Sequence, residues 1–342
     1  MSLKRIGWQK LFEKLRIHNA QQACNLLPAI QVLKQKWPNT PIPSRSVDLR
    51  RMFKQPGPIL DFVVIHAVDD FLAQATDVRL LRIPSRAMSL METSAIFHSI
   101  TLRVLCLEVE TPTVELINAI NLLSALMALE LSTAKNPQPP VQPLPQLQTP
   151  ALQELTLKGH MFSAMAQAVY PCHFAGLFKL RLKLKSPVFG PTDARFFDFV
   201  QRHPVELLSL LVDRAVVKDH RMRVDACEVL LPVQCTGEIV SRMTDRVERI
   251  DGHYTNKLVY KLLKAVRRER VNNRLRGLTS IALDVSDTEG HDLAFWLQES
   301  VSMKFQDLRD ELWGHGIRIG RPVSSALCSA PDRFWPLVRR IP

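Results

Sequence analysis

Residues Leu102 to Leu131 read "LRVLCLEVETPTVELINAINLLSALMALEL", and both ends of that stretch carry one leucine skeleton. "LRVLCL" begins at Leu102 and "LMALEL" at Leu126, each an L-x-x-L-x-L phrase, 24 residues apart. Alternating leucines of this kind suit a short strand with one face in a core. Between them "PTVELINAINLLSAL" spaces its apolar residues three and four apart, the period of an amphipathic helix. A strand, a helix and the same strand again make one structural repeat.

The phrase recurs on both sides. Aligned on the middle leucine, "VRLLRI" places Leu81, "LRVLCL" Leu105, "LMALEL" Leu129, "LQELTL" Leu155 and "LFKLRL" Leu180, with spacings of 24, 24, 26 and 25 residues. A fixed period of this size marks a solenoid, in which neighbouring repeats bury each other's apolar faces. Intervening segments such as "METSAIFHSI" and "MFSAMAQAVYPCHFAG" are helix-like. Beyond about residue 215 the pattern loosens: strands are expected near Leu208, around Leu230 and around Ile281, a helix over 290–313, and a last strand at "GIRIG". The expected fold is α/β: a curved solenoid over residues 56–320, with parallel strands on its concave side and helical or extended return segments behind them. Residues 1–55 read as a helical segment, from the stripe Ile6, Trp8, Leu11, Phe12 and Leu15, and residues 321–342 as a tail.

A chain of 342 residues that is 46% hydrophobic can bury a large core. No run of about 18 apolar residues is present to span a membrane, and the N-terminus lacks the apolar core of a secretory signal. "WQKLFEKLRI" is basic and amphipathic, but Glu13 and the shortage of Ser and Arg oppose a mitochondrial presequence. The six cysteines are scattered without a C-x-x-C pair, which suits a reducing intracellular compartment, cytoplasmic or nuclear. The net charge of +12 favours acidic partners without naming their class.

The leucine strands, with helix phrases such as "ARFFDFVQRHPVELLSL" between them, resemble leucine-rich repeats, and within that family the fungal F-box-type leucine-rich-repeat proteins. The resemblance covers residues 76–217 and, more loosely, 218–320. It implies target recognition in a ubiquitin-ligase setting, where repeats select a protein and an F-box recruits a Skp1-type adaptor. Two features depart from the pattern. The usual repeat has Asn or Cys three positions after its last leucine, where this chain has Glu110, Ala134, His160 and Lys185. In "LLPAIQVL", Gln31 stands where an F-box takes an apolar residue, so no F-box is recognisable.

Two further stretches have competing readings. "NPQPPVQPLPQLQTP" (136–150) has the composition of a polyproline ligand for SH3 or WW domains, but no basic residue flanks a P-x-x-P core in the usual way. Leu129 and Leu155 keep their spacing across it, so it reads as an extended return segment. "KLVYKLLKAVRRERVNNRLR" (257–276) is a basic amphipathic helix, of a kind also used at membrane surfaces. Its apolar face suits the core of a solenoid and its basic face water.

Signals for catalysis are weak. There is no G-x-S-x-G elbow, P-loop or H-E-x-x-H pair, and Asp69 and Asp70 are neighbours that a helix would not converge. His220, Cys227 and Cys235 match no common zinc spacing. A non-catalytic role, with no cofactor or metal, is therefore expected.

The strand residues between the leucines carry the functional expectation, because alternation sends them to the open face. "KLRLKLK" puts Lys179, Arg181, Lys183 and Lys185 together there, with Lys158 from the repeat before. Earlier repeats place Glu108, Glu110, Glu130 and Glu154 on that face, so it should pass from acidic to basic. These five cations are the candidate partner-binding residues. The expected function is a protein-interaction scaffold for an acidic target. The alternative is a basic solenoid that binds RNA or a ribonucleoprotein, although no base-stacking aromatic interleaves with "KLRLKLK".

Overall fold

Leu105 is the ladder partner of Leu81 on one side and of Leu129 on the other, and Leu129 in turn is the partner of Leu155. The 24-residue phrase thus returns in space as well as in sequence. The structure is a computed structural model, and it describes residues 14–16, 46–48, 78–83, 101–109, 112–133, 142–159, 163–184, 194–211, 221–231, 236–254, 256–285 and 303–320. The chain divides into two compact units, Met1–Gly176 with Phe334–Pro342, and Leu177–Arg333. Each is an α/β arrangement in which strands follow chain order, all parallel and without closing into a barrel.

In the first unit the strands are β1 (Lys14–Arg16), β2 (Ser46–Asp48), β3 (Leu80–Ile83), β4 (Val104–Val109), β5 (Ala128–Thr133) and β6 (Glu154–Gly159), with helices α1 (Val114–Asn121) and α2 (Ser163–Val169). One ladder row runs Leu15, Val47, Leu81, Leu105, Leu129, Leu155, and the row two residues on runs Ile83, Leu107, Leu131, Leu157. From Leu81 onward these side chains are buried. Each contributes roughly 1.5–3 kcal/mol of transfer free energy.

The described parts of residues 1–55 are the short strands β1 and β2, not helix. Leu15, which closed the helical stripe in sequence, pairs with Val47 and so joins the leucine row. Three-residue strands are too short to show an alternation, and a 3.6-residue period nearby dominates the pattern. The rest of the N-terminal helical expectation, the "LLPAIQVL" phrase, "METSAIFHSI" and the tail 321–342 lie outside the described residues.

Helix α1 begins where expected. Thr113 has an extended backbone, and its hydroxyl accepts from the Leu116 N–H at 3.1 Å, a side-chain cap on a free helix-end donor. Its buried residues Leu116, Ile117, Ala119 and Ile120 form the apolar face read from sequence. The described part of the proline-rich stretch, 142–150, forms neither helix nor strand, and Leu144 and Leu147 are buried. The amide of Asn121 donates to the Gln146 carbonyl at 3.0 Å and accepts from the Gln148 N–H at 2.6 Å. The Leu147 N–H donates to the Ala168 carbonyl at 2.9 Å, so this segment bridges α1 and α2 as a return segment.

The second unit holds β7 (Lys179–Leu184), α3 (Ala194–Arg202), β8 (Val205–Leu211), β9 (Ala226–Leu231), α4 (Thr236–Val240), β10 (Arg249–Tyr254), α5 (Asn256–Val271), β11 (Ser280–Val285), α6 (Met303–Gly314) and β12 (Arg318–Gly320). Its core row is Leu180, Leu208, Val229, Ile250, Ile281, Ile319. Successive members are 28, 21, 21, 31 and 38 residues apart, so the rows hold while the return segments vary. The basic segment expected over 257–276 is helical only as far as Val271, as α5, with Leu262, Leu263 and Val266 in the core and Lys261, Lys264, Arg267 and Arg268 exposed.

Backbone carbonyls at the start of the strands each take two donors. Arg79 O accepts from the N–H groups of Arg103 (2.9 Å) and Val104 (2.8 Å), and Arg103 O from Met127 (2.8 Å) and Ala128 (2.9 Å). In the second unit Glu248 O accepts from Thr279 (2.9 Å) and Ser280 (3.2 Å). A carbonyl has two lone pairs, so each of these accepts from two strand-entry N–H groups. Arginines tie neighbouring strand connections in addition: Arg103 donates to Ala125 O at 3.0 Å, Arg274 to Ser241 O at 2.8 Å and Arg270 to His315 O at 2.8 Å. Buried Glu269 holds Arg274 at 2.9 Å and Arg268 at 3.0 Å.

Candidate partner-binding surface

Strand β7 alternates as its sequence requires: Leu180, Leu182 and Leu184 are buried, and Lys179, Arg181 and Lys183 stand half-buried on the opposite face. Neighbouring strands lie about 4.8 Å apart, so each β7 cation meets one residue of β8. Lys179 faces Leu207, Arg181 faces Ser209 and Lys183 faces Leu211. Beyond β8, Leu207 is paired with Glu228, and Ser209 with Leu230. Further along, Glu228 pairs with Arg249 and Leu230 with Asp251.

The charges on β9 and β10 are largely matched. Arg249 Nε donates to Asp251 Oδ1 at 2.6 Å, and Glu228 is close enough to act on the same guanidinium. The hydrogen bond to Asp251, more than any other influence, holds Arg249 above its ordinary range. On β7 three cations follow one another at every second residue. Lys179 also lies over the Phe178 ring, 4.9 Å from its centroid. Lys185 lies outside the described residues.

Ser209 was invisible in the sequence, a small polar residue inside the apolar run "LLSLL". In the structure it is 0% exposed, and its hydroxyl has no hydrogen-bond partner. An unmet buried hydroxyl costs about 1–3 kcal/mol, and each such group in a folded protein calls for an explanation.

The first unit differs from the acidic open face expected there. Leu80, Val104, Cys106 and Ala128 form a buried apolar cluster on the side opposite the leucine row. Arg82, Glu154 and Thr156 on that side are buried as well. The reason lies in the strands themselves: "VLCLEV" is nearly continuous in apolar residues, the signature of a parallel strand covered on both faces. Glu108 is exposed, Glu130 forms an ion pair with Lys158, and Glu110 lies outside the described residues. Lys158 is therefore committed to Glu130 within its own unit.

Burial, with the Glu130 charge as a lesser cause, pushes the Cys106 thiol up to about 12, so it stays protonated at neutral pH. Cys227 is half-buried, while His220 and Cys235 lie outside the described residues. Among the described residues no cluster of three His, Cys, Asp or Glu side chains is placed to hold a metal ion, and no helix is long and apolar enough to cross a membrane. No family model matches this chain, and no curated protein matches it in sequence.

Proposed function

We propose that the chain is a non-catalytic protein-interaction scaffold, a curved leucine-rich-repeat-like solenoid that recognises a protein target with an acidic surface. In-register rows of leucine, valine and isoleucine support the repeat reading, since each strand and return segment needs its neighbours to bury its apolar side. The observation that carries the binding role is the cationic face of β7, where Lys179, Arg181 and Lys183 follow one another opposite a leucine face. Like charges this close repel in the free protein, with screening over roughly 8 Å at physiological salt. An acidic partner relieves that repulsion and is drawn in faster. A ubiquitin-ligase setting, with a Skp1-type adaptor as second partner, rests on the resemblance in sequence alone.

The test is the double variant Arg181→Glu/Lys183→Glu, compared with the native chain against a partner captured from native cell extract and identified by mass spectrometry. Association should slow roughly tenfold or more at low salt, and its dependence on salt should flatten. The thermal midpoint should move by no more than a few degrees, because neither side chain lies in the core. Association at the native rate would leave β7 an ordinary solvated strand. Binding of RNA rather than protein, lost steeply as salt rises, would replace the scaffold with a nucleic-acid reader.

A further inference from the structure

Ser209 is the shortest side chain of β8. Leu208 and Leu210 on either side of it point into the core, so its own side chain faces the same side as Arg181. Along β8 Leu207 precedes it on that face, and across the sheet stand Arg181 on β7 and Leu230 on β9. Longer side chains thus stand around one short one, whose hydroxyl is buried and without a partner. A hydroxyl can donate one hydrogen bond, and a guanidinium offers a planar fork of donors. What both would satisfy is an oxygen anion, with Lys179 and Lys183 supplying charge one rung to either side.

We propose that Ser209 and Arg181 form an oxyanion seat, in which the partner places a side-chain carboxylate or a phosphate ester. This deepens the scaffold reading and rests on it, since it assigns the atom group that the cationic strand receives. Arg181 grips the anion, and the side chains around Ser209 part so that its buried hydroxyl donates to the same ion. Ser209 is then the residue that distinguishes an oxyanion from mere negative charge. Alanine would serve the core better at this position, because it removes an unmet hydroxyl.

The test uses the full chain, titrated at fixed ionic strength with inorganic phosphate and separately with acetate, while the arginine Nε–Hε resonances are followed by NMR. Saturable movement of the Arg181 signal is expected, with tighter binding of phosphate assigning a phosphate ester and tighter binding of acetate a carboxylate. Ser209→Ala should weaken that binding about tenfold, as expected for a lost hydrogen bond to an ion, while raising the thermal midpoint. Ser209→Thr keeps the hydroxyl and should restore most of the binding. The seat is overturned by the absence of any saturable response, or by a response that Ser209→Ala leaves unchanged. The two readings fail separately. If charge reversal on β7 slows the partner but Ser209→Ala alters neither anion, the scaffold stands and the seat falls. If Ser209→Ala weakens the anion but charge reversal leaves the partner's rate unchanged, the anion site stands and the scaffold reading falls.

Discussion

Leu129→Asp should unfold the first unit in buffer that keeps the native chain folded. Leu129 is 1% exposed and lies in the row between Leu105 and Leu155. A carboxylate there has no cation within its row, and a buried charge without a partner costs roughly 3–5 kcal/mol. The lost leucine packing adds to that. A domain's whole stability is typically about 5–15 kcal/mol, so the combined loss approaches it. Neighbouring strands also share this core, and a defect in one removes support from both sides. Urea denaturation followed by circular dichroism reads the effect. Glu108→Lys is the control: Glu108 is on the same strand pair but exposed, and should shift stability by no more than about 0.5 kcal/mol. A Leu129→Asp chain with the native midpoint would mean that the row is not core.

The second large effect concerns a turn. Gly277 precedes β11 and lies directly on the turn before β10, where an added Cβ would collide with the carbonyl oxygen of Asp245. The Arg276 N–H donates to the Asp245 carboxylate at 3.1 Å, so the two turns are pinned together and cannot part without losing that bond. Gly277→Ala should therefore destabilise the second unit by about 1–3 kcal/mol, the usual cost of overpacking. Gly237 in helix α4 has open space where its Cβ would be. There the same substitution should stabilise, by up to about 1 kcal/mol, through helix propensity. Opposite signs at the two glycines, read as thermal midpoints, would support the stacking of turn on turn. Equal signs would argue that the contact at Gly277 is absent in solution.

How far the sequence could be read depended on which residues occupy the rows. Leu81, Leu105, Leu129, Leu155 and Leu180 were legible because each is followed two residues later by a second large aliphatic residue. Strand β10 was missed for the converse reason. Its row residues are Ile250 and Gly252, and Gly252 occupies the place that Leu231 and Leu283 hold on either side. One isoleucine beside a glycine carries no alternation. In β9 the strand was seen but centred on Leu230, whereas Val229 and Leu231 are the buried pair. Three consecutive apolar residues leave the phase open, and a one-residue slip exchanges the two faces of a strand.

The candidate surface was legible only in part. Lys179, Arg181 and Lys183 follow from alternation against three leucines, and the structure keeps them on one face. The burial of Glu154 and the pairing of Glu130 with Lys158 did not follow, because both depend on what covers the sheet and not on the strand. Ser209 could not be found at all without the ladder. Only the register with Arg181 shows that a serine in an apolar run lies beside a cation.

The central claim is that successive leucine phrases stand side by side as parallel strands in register, and cross-linking tests it most directly. Glu108 and Ser132 are ladder partners on β4 and β5. Strand neighbours lie about 4.8 Å apart, within the Cα separation a disulfide accepts. Glu108→Cys combined with Ser132→Cys should form a disulfide under mild oxidation of the native chain, identified by peptide mass spectrometry. Glu108→Cys combined with Thr133→Cys, one residue out of register and on opposite faces, should not. Cross-linking of the slipped pair alone, or of neither pair while the chain remains folded, would contradict the parallel pairing of these strands.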